Sequence, residues 1–403
     1  MTVGMILIVL AALTAIGLPV SIAILVPSLL YLLVNEIPLS SAIARMSGSV
    51  NSFTVMAVPF FIMAGQVMNH SGLTEKLVAF TRCLVGHLRG GLAQVNVAAS
   101  IIFAGMSGSA VADAGGLGSV LIGPMKKDGY TASFSAAITA ASSTIGPIIP
   151  PSIPMVIFAV IAEESVGRLF LAGAVPGFLL GLLMMVMLRF LPQTRDIKVY
   201  PRASLNEFRV LFTPTEAAAV AAVYATIVGA FILRGLTLQR FREALLQSML
   251  LSGNVLFVVA VAGVFGWILA REGVSGQLAE WLITIDLSPL MLLIVLNILL
   301  LLIGCVLEPI SVLIVLTPVF VPVIGYAGID TVHFGVIMVF NLMIGLVTPP
   351  MGLVLYVVSD VSGERFEKVV KDILPFYLPM LFVLFLITIF PNIVLWLPDL
   401  VFN

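Results

Sequence analysis

The stretch that decides the fold is "GPIIPP", residues 146–151, which interrupts an otherwise apolar segment. Proline stops a helix because it lacks an N–H donor and its ring clashes with the preceding turn. A second interruption of the same kind, "GLVTPP", occupies residues 345–350. The chain therefore breaks two apolar helices in the same way, and its composition indicates the solvent in which these breaks lie.

Composition assigns the chain to the lipid bilayer. Of its 403 residues, 61% are hydrophobic and only 10% are charged, whereas a soluble domain carries about 25% charged residues. Apolar runs of about 20 residues recur from end to end, which is typical of a polytopic α-helical membrane protein. The first residues lack the positive n-region of a cleaved signal peptide, so we expect residues 3–34 to remain as membrane sequence.

Charge and cysteine content exclude several classes of function. A formal net charge of −1 gives no electrostatic basis for binding nucleic acid. Cys83 and Cys305 are the only cysteines, which excludes a disulfide framework and a cysteine-rich metal site. Because the sequence contains no P-loop signature, we expect the energy for any transport to come from an ion gradient or a partner.

The two halves of the chain are related by an internal repeat. Five glycines or prolines recur 199 positions apart, without a gap: Gly105 with Gly304, Gly129 with Gly328, Gly146 with Gly345, Pro150 with Pro349, and Pro151 with Pro350. In each copy, an interrupted apolar segment precedes the helix that breaks at Pro-Pro. We therefore divide the chain into residues 1–200, with a first hairpin at about 92–124, and residues 201–403, with a second hairpin at about 287–325.

Basic residues predict that the two copies have opposite orientations. The loop after the first interrupted segment holds Lys126 and Lys127, whereas the matching loop "GYAGID" holds no Lys or Arg. Because cytoplasmic loops favour Lys and Arg, this difference predicts an inverted repeat.

Two other basic loops conflict with a simple count of membrane spans. The loops at 189–209 and 234–242 are both rich in arginine, as cytoplasmic loops are, yet only one apolar span, 213–233, separates them. One crossing cannot return to the same side. Either one basic loop lies outside or a helix is missing near residue 212.

Paired helix breaks are the strongest functional signal in the sequence. At membrane depth, irregular backbone is tolerated only where it lines a cavity or is buried in protein. Paired breaks at matching positions of two halves indicate the binding site of a transporter, where half-helix ends and free carbonyls face ions and anions.

Long motifs along nearly the whole chain carry a resemblance to a known family. They are "VPFFIMAGQVM" at 58–68, "AGMSGSAVADAGGLGSVLIGPMKKDGY" at 104–130, "STIGPIIPPSIPMVIFA" at 143–159, "FTPTEAAAVAAVYA" at 212–225, "LEPISVLIVLTPVFVPV" at 307–323 and "GLVTPPMGLVLYV" at 345–357. In these segments the chain resembles the large membrane subunit, of the DctM or SiaM type, of the tripartite ATP-independent periplasmic (TRAP) transporters.

The resemblance implies an all-α elevator-type secondary transporter of the bacterial inner membrane, with a re-entrant hairpin in each inverted repeat. It implies coupling to Na+, a small four-helix membrane subunit and a soluble periplasmic binding protein as partners. It also implies an organic acid as substrate, such as sialic acid or a C4-dicarboxylate. The chain departs from the family at two places: no apolar helix precedes "FTPTEAAA", and Glu308 stands where the second hairpin often carries Asp.

Candidate site residues lie around both hairpin turns and both breaks. We predict that oxygen atoms of two groups bind Na+: Ser107, Gly108, Gly146 and Pro150 in the first copy, and Gly304, Gly345, Thr348 and Pro350 in the second. Glu308 would meet the second site, orient its turn, or lie in water. We predict that Ser109, Asp113, Ser142 and Ser143 face the substrate, because a carboxylate within a span is costly and marks function. The alternatives are close helix packing by small residues, plain proline kinks, and hydroxyls bonded to the preceding turn.

Three other functions compete with this interpretation. "GMSG" at 105–108 fits the G-x-S-G pattern of rhomboid-type intramembrane proteases, with Ser107 as nucleophile and His333 as the only histidine near a predicted span. An ion-coupled carrier that needs no binding protein would share the repeat. A purely structural subunit would not need Asp113 or the paired breaks. The protease leaves the repeat unexplained, and we predict that the chain is not an enzyme.

Overall fold

The computed structural model describes residues 3–16, 18–51, 59, 63, 73–195, 197, 199–201, 238–273 and 287–402. Within these ranges the regular structure is helical and no strand occurs. Four helices there are long and apolar enough to cross a membrane, namely Val166–Leu188, Leu245–Arg271, Pro309–Tyr326 and Phe366–Ile389. The prediction of an all-α chain with several apolar spans is confirmed.

Among the described residues, four helices precede the first hairpin: α1 (Val3–Ala15), α2 (Val20–Val34), α3 (Ser40–Val50) and α4 (Leu73–Val85). Residues 3–34 thus form two short helices, and Pro19 is the N-cap residue of the second. Helix α4 is the amphipathic helix predicted at 74–89. Helix α3 is too polar to be predicted as a span, and the span predicted at 53–69 lies almost wholly outside the described residues.

The next five helices contain the first hairpin and the first break: α5 (Gly91–Ser107), α6 (Ala110–Lys127), α7 (Ala132–Ser143), α8 (Ile153–Ala162) and α9 (Val166–Leu188). We call α5, its turn at Gly108 and Ser109, and α6 hairpin 1. Its two ends are joined where the Tyr130 hydroxyl donates to the carbonyl oxygen of Gly90 at 2.5 Å. Helices α7 and α8 are the two halves of a broken helix. We call the break between them, residues 146–151, loop 1.

The remaining described α-helices are α10 (Leu238–Arg271), α11 (Pro289–Gly304), α12 (Pro309–Tyr326), α13 (Thr331–Gly345), α14 (Leu353–Ser362), α15 (Phe366–Ile373), α16 (Tyr377–Ile389) and α17 (Asn392–Phe402). Helices α11 and α12 form hairpin 2, and residues 345–352 between α13 and α14 form loop 2. The amphipathic stretch predicted at 237–247 and the span at 248–270 are one continuous helix, α10. The span predicted at 373–397 is divided among α15, α16 and α17, with Pro375 and Pro391 near the breaks.

Helix bounds in the second half follow those in the first. Both ends of α12 lie 199 positions after the ends of α6, and both ends of α14 lie 200 positions after the ends of α8. The offset changes because Ser152 alone stands between Pro151 and α8, whereas Met351 and Gly352 stand between Pro350 and α14.

N-terminal caps recur at the same offset. Thr131 accepts a hydrogen bond from the Phe134 amide at 3.2 Å, and Asp330 accepts one from the His333 amide at 2.9 Å. Each cap satisfies an amide that the first helical turn leaves without a partner. The two broken helices therefore begin with the same local geometry.

A stripe of glycines on α9 lets this helix pack closely on loop 1 and hairpin 1. A Cβ atom on Gly177 would come within 2.5 Å of Ile149, and one on Gly181 within 2.5 Å of Ile101. Small residues at four-residue spacing allow such close approach in membrane helices. Helix α9 thereby supports the irregular backbone of loop 1 from behind.

Candidate functional site

The turn of hairpin 1 lies against loop 1. Gly108 has φ of +59°, and a Cβ atom there would come within 2.7 Å of the carbonyl oxygen of Pro151. Because that φ lies in the left-handed region and the nearest atom belongs to the backbone, the position requires glycine. The structure therefore brings Gly108 next to the Pro-Pro pair that includes Pro150.

Asp113 connects the hairpin to the start of the break. It lies one turn into α6 and is 0% exposed. One of its carboxylate oxygens occupies the space that a Cβ atom on Gly146 would fill. A buried carboxylate near a helix N-terminus interacts favourably with the helix dipole. The two residues predicted to serve different ligands thus lie in contact.

Three predicted serines of the first copy, Ser109, Ser142 and Ser143, have local partners. The Ser109 hydroxyl accepts from the Ala112 amide at 3.4 Å and caps α6, and Ser107 is the last residue of α5. The Ser142 hydroxyl donates to Asn96 at 2.8 Å and accepts from Ser100 at 2.9 Å. The Ser143 hydroxyl donates to the carbonyl oxygen of Ala140 at 2.8 Å.

These contacts give the serines a defined place beside the break. Ser142 and Ser143 are the last two residues of α7 and are 0% and 1% exposed, respectively. In this conformation their hydroxyls hydrogen-bond within the protein, in the manner of the back-bonded alternative. Their contact with a substrate stays a prediction.

In the second copy, the backbone at the end of α11 lies against the backbone at the start of loop 2. A Cβ atom on Gly345 would come within 2.5 Å of the carbonyl carbon and oxygen of Gly304. The Met351 amide also donates to the carbonyl oxygen of Cys305 at 3.3 Å. The turn of hairpin 2 therefore lies against loop 2, as the turn of hairpin 1 lies against loop 1.

Glu308 is the N-cap residue of α12. Its carboxylate accepts from the amide and from the hydroxyl of Ser311, each at 3.0 Å. This geometry orients the turn of hairpin 2, which is one of the roles considered for this residue. Thr348 donates its hydroxyl to the carbonyl oxygen of Ile344 at 2.7 Å, and Pro350 is exposed.

Each hairpin has one carboxylate at the start of its second helix. Asp113 lies in the first turn of α6, and Glu308 is the N-cap residue of α12. Asp113 matches Val312 at the 199-residue offset, whereas Glu308 matches Ser109. Around both turns the available ligands are carboxylate, hydroxyl and carbonyl oxygens. A hard cation prefers such a set. No group of three or more His, Cys, Asp or Glu side chains suited to a transition metal occurs among the described residues.

Three buried polar residues were missed by the sequence prediction. Asn341, the repeat partner of Ser142, donates to Asn297 Oδ1 at 2.8 Å, and Asn297 donates to Thr388 at 3.0 Å. Asn96 and Asn297 thus serve the same purpose in the first helix of each hairpin: each bonds the residue just before a break. An isolated Asn inside an apolar helix was the signal for these contacts, because amide side chains form hydrogen bonds between helices in lipid.

The fold defines a class of polytopic membrane protein. It resembles that of the YdaH transporter of Alcanivorax borkumensis, with a TM-score of 0.63 and 17% identity over 88% of this chain and 89% of that chain. It also resembles MtrF of Neisseria gonorrhoeae, with a TM-score of 0.59 and 15% identity over 87% and 83% of the two chains. The class is a multi-pass α-helical membrane protein that shares its fold with these two chains.

The chain belongs to the DctM component family of the tripartite ATP-independent periplasmic transporters, whose family model matches residues 7–211 and 208–393. It is 42% identical to the sialic acid TRAP transporter large permease SiaM of Vibrio cholerae, over 95% of each chain. It is 39% identical to the C4-dicarboxylate TRAP transporter large permease DctM of Pseudomonas aeruginosa, over 86% of each chain.

Family membership confirms the resemblance drawn from the motifs. The chain is a large permease subunit of a transporter and not an enzyme. The intramembrane protease hypothesis is therefore wrong. In addition, Nε2 of His333 lies 2.6 Å from the carbonyl oxygen of Ile387, so this ring is already engaged.

Proposed function

We propose that this chain carries an organic acid, of the sialic acid or C4-dicarboxylate class, into the cell in symport with Na+. The observation that carries the proposal is the pair of turn–loop junctions, Gly108 against Pro151 and Gly304 against Gly345. Each junction concentrates carbonyl oxygens and helix ends inside an apolar protein. Such junctions are where secondary transporters bind ions and substrates.

The substrate class is supported by the named relatives. The SiaM and DctM relatives are named for sialic acid and C4-dicarboxylates. A third relative, 35% identical, is named as an isethionate permease of Oleidesulfovibrio alaskensis. All three substrates are small organic anions. Helix N-termini at both hairpin turns supply partial positive charge that suits an anion.

Coupling to Na+ is supported by the ligands at the two junctions. One site would use oxygens of Ser107, Gly108, Gly146 and Pro150, and the other would use oxygens of Gly304, Gly345, Thr348 and Pro350, with Glu308 orienting the second turn. The substrate would lie between them, near Ser109, Asp113, Ser142 and Ser143. Na+ bound at a junction would hold the turn against the loop and thereby complete the substrate site.

The proposal that residues 1–200 and 201–403 are inverted repeats is supported by the membrane face at which corresponding helices end. Helix α9 is 23 residues, about 34 Å, long. The start of hairpin 1 lies at its C-terminal end, because Gln94 donates to the carbonyl oxygen of Met185 at 2.9 Å. Helix α6 returns to that end with Lys126 and Lys127. Helix α12 instead ends beside the C-terminus of α8, which leads into the opposite end of α9.

An elevator mechanism fits this arrangement. The hairpins and broken helices would form the moving part. Helix α10, with α2 and α3 packed on it, would form part of the fixed scaffold. A small four-helix subunit would extend the scaffold. A periplasmic binding protein would deliver the acid to the outer face of the inner membrane.

Uptake by proteoliposomes tests the proposal. The chain is reconstituted with its small subunit, labelled sialic acid or succinate is supplied outside with the binding protein, and an inward Na+ gradient is replaced by K+. We expect accumulation only with both Na+ and the binding protein. Accumulation with Na+ alone would instead indicate a carrier that needs no binding protein, and accumulation in K+ would refute Na+ coupling.

The helix that the family carries before Phe212 bears on this experiment. Residues 202–237 lie outside the described residues, so its absence stays a prediction.

A further inference from the structure

A large cavity lies apart from the two turn–loop junctions. Its volume is about 1230 Å³, and it separates α3 and α10 on one side from the C-terminal halves of α8 and α12 on the other. Pockets that bind small organic molecules measure about 300–1,000 Å³. The cavity can therefore hold an organic acid together with water.

Arg45 and Trp267 form one polar wall of this cavity. The Arg45 guanidinium lies 5.2 Å from the centre of the Trp267 ring, and the Arg271 guanidinium lies 5.5 Å from the same centre. Stacking on an indole holds an arginine in place without using its N–H donors. Arg45 lines the cavity, and no ion pair or hydrogen bond joins its side chain to another described residue.

The opposite wall carries charge of the other sign. Glu163 and Glu164, at the end of α8, also line the cavity. Their carboxylates repel an anion, so within the cavity the wall that holds Arg45 is the more favourable side for one. A planar guanidinium with free donors can bind a carboxylate through two parallel hydrogen bonds.

The cavity lies at the outer face. Glu163 and Glu164 precede the N-terminal end of α9, about 34 Å from the face that holds Lys126 and Lys127. Since lysine-rich loops are cytoplasmic, the cavity opens toward the side from which a substrate for import arrives.

We propose that Arg45, stacked on Trp267, is a docking site that binds the carboxylate of an organic acid before the acid reaches the hairpin turns. This inference rests on the proposed function for the identity of the ligand. It adds a separate site on the wall of α3 and α10, which faces the hairpin and broken helices across the cavity. A low-affinity site there raises the local concentration of substrate at the moving part.

Fluorescence of Trp267 tests the docking site directly. In the full chain in lipid nanodiscs, Trp281→Phe and Trp396→Phe leave Trp267 as the single tryptophan. Sialic acid, its uncharged methyl ester and succinate are titrated in Na+-free buffer. We expect a saturable change in emission with sialic acid or succinate, and a dissociation constant at least about 10-fold weaker for the methyl ester or in Arg45→Gln.

Three further variants make the result specific. Arg45→Lys keeps the charge and should recover much of the affinity, which separates loss of a ligand from a folding defect. Arg242→Gln removes an exposed arginine at the far end of the same helix α10, and Asp113→Asn alters hairpin 1; both should keep the response. No saturable response, an equal response in Arg45→Gln, or a response lost in Asp113→Asn but kept in Arg45→Gln would overturn the inference.

The two proposals fail separately. Na+-driven uptake without a change in Trp267 emission would overturn the docking site and leave the transport function intact. A saturable, Arg45-dependent signal without uptake would overturn the proposed Na+-driven import and support the anion site.

Discussion

Gly345→Ala is expected to weaken Na+ binding by pushing loop 2 away from hairpin 2. The new Cβ atom would lie 2.5 Å from the carbonyl carbon and oxygen of Gly304 and 2.8 Å from its Cα atom. Because all three contacts are backbone atoms, a side-chain rotation cannot relieve the overlap. Overpacking of this kind costs about 1–3 kcal/mol. If the ion-bound state needs the close approach, the Na+ concentration for half-maximal uptake should rise about 5- to 150-fold.

The matched control is Gly253→Ala in α10, where a Cβ atom would meet nothing within 4 Å. This substitution should leave uptake unchanged and stabilise the helix by about 0.5–1 kcal/mol. Uptake is measured in proteoliposomes with both partners over a series of Na+ concentrations, and folding is checked by size-exclusion profile. A folded Gly345→Ala protein whose half-maximal Na+ concentration stays within twofold of the wild type would refute the proposed role of this junction.

Other substitutions separate functional groups from structural ones. Asp113→Asn should abolish Na+-driven uptake in a folded protein, whereas Glu308→Gln should act mildly because its amide oxygen can still cap Ser311; equal losses in uptake assays would contradict this. Asn341→Ala should lower the unfolding free energy by about 1–3 kcal/mol in thermal melts, because Asn297 loses its buried partner. Arg168→Gln breaks a half-exposed ion pair of 3.2 Å with Asp399, so a change in stability above about 1 kcal/mol would be unexpected.

The architecture of the hairpins and breaks was predictable from the sequence because proline and glycine act locally. The first break, predicted within 131–162, separates α7 from α8, and the second, predicted within 331–358, separates α13 from α14. Hairpin 1 was expected at about 92–124 and occupies 91–127. In both copies a glycine followed by a Pro-Pro pair interrupts the helix, whereas single prolines such as Pro176 and Pro318 lie inside continuous helices.

Side-chain contacts in the site depended on packing and could not be predicted. The sequence predicts that Asp113 and Ser142 both face the substrate, yet Asp113 contacts Gly146 of loop 1, whereas Ser142 hydrogen-bonds Asn96 of α5. Sequence spacing within one helix carries no information about which residue of a distant helix lies opposite. Arg45 could not be predicted for the same reason. It lies on the short polar helix α3, and it stacks on Trp267, which is more than 200 positions away in the sequence.

Binding of radioactive 22Na+ to the purified protein tests the central claim most directly. The wild type and the double variant Gly146→Ala/Gly345→Ala are compared by scintillation proximity without substrate or partners. The account predicts saturable binding that unlabelled Na+ displaces and K+ does not, and its loss in the double variant, whose new Cβ atoms would overlap Asp113 and Gly304. Saturable binding that is equal in both proteins, or no saturable binding to the wild type, would contradict the claim that the paired helix breaks hold the coupling ion.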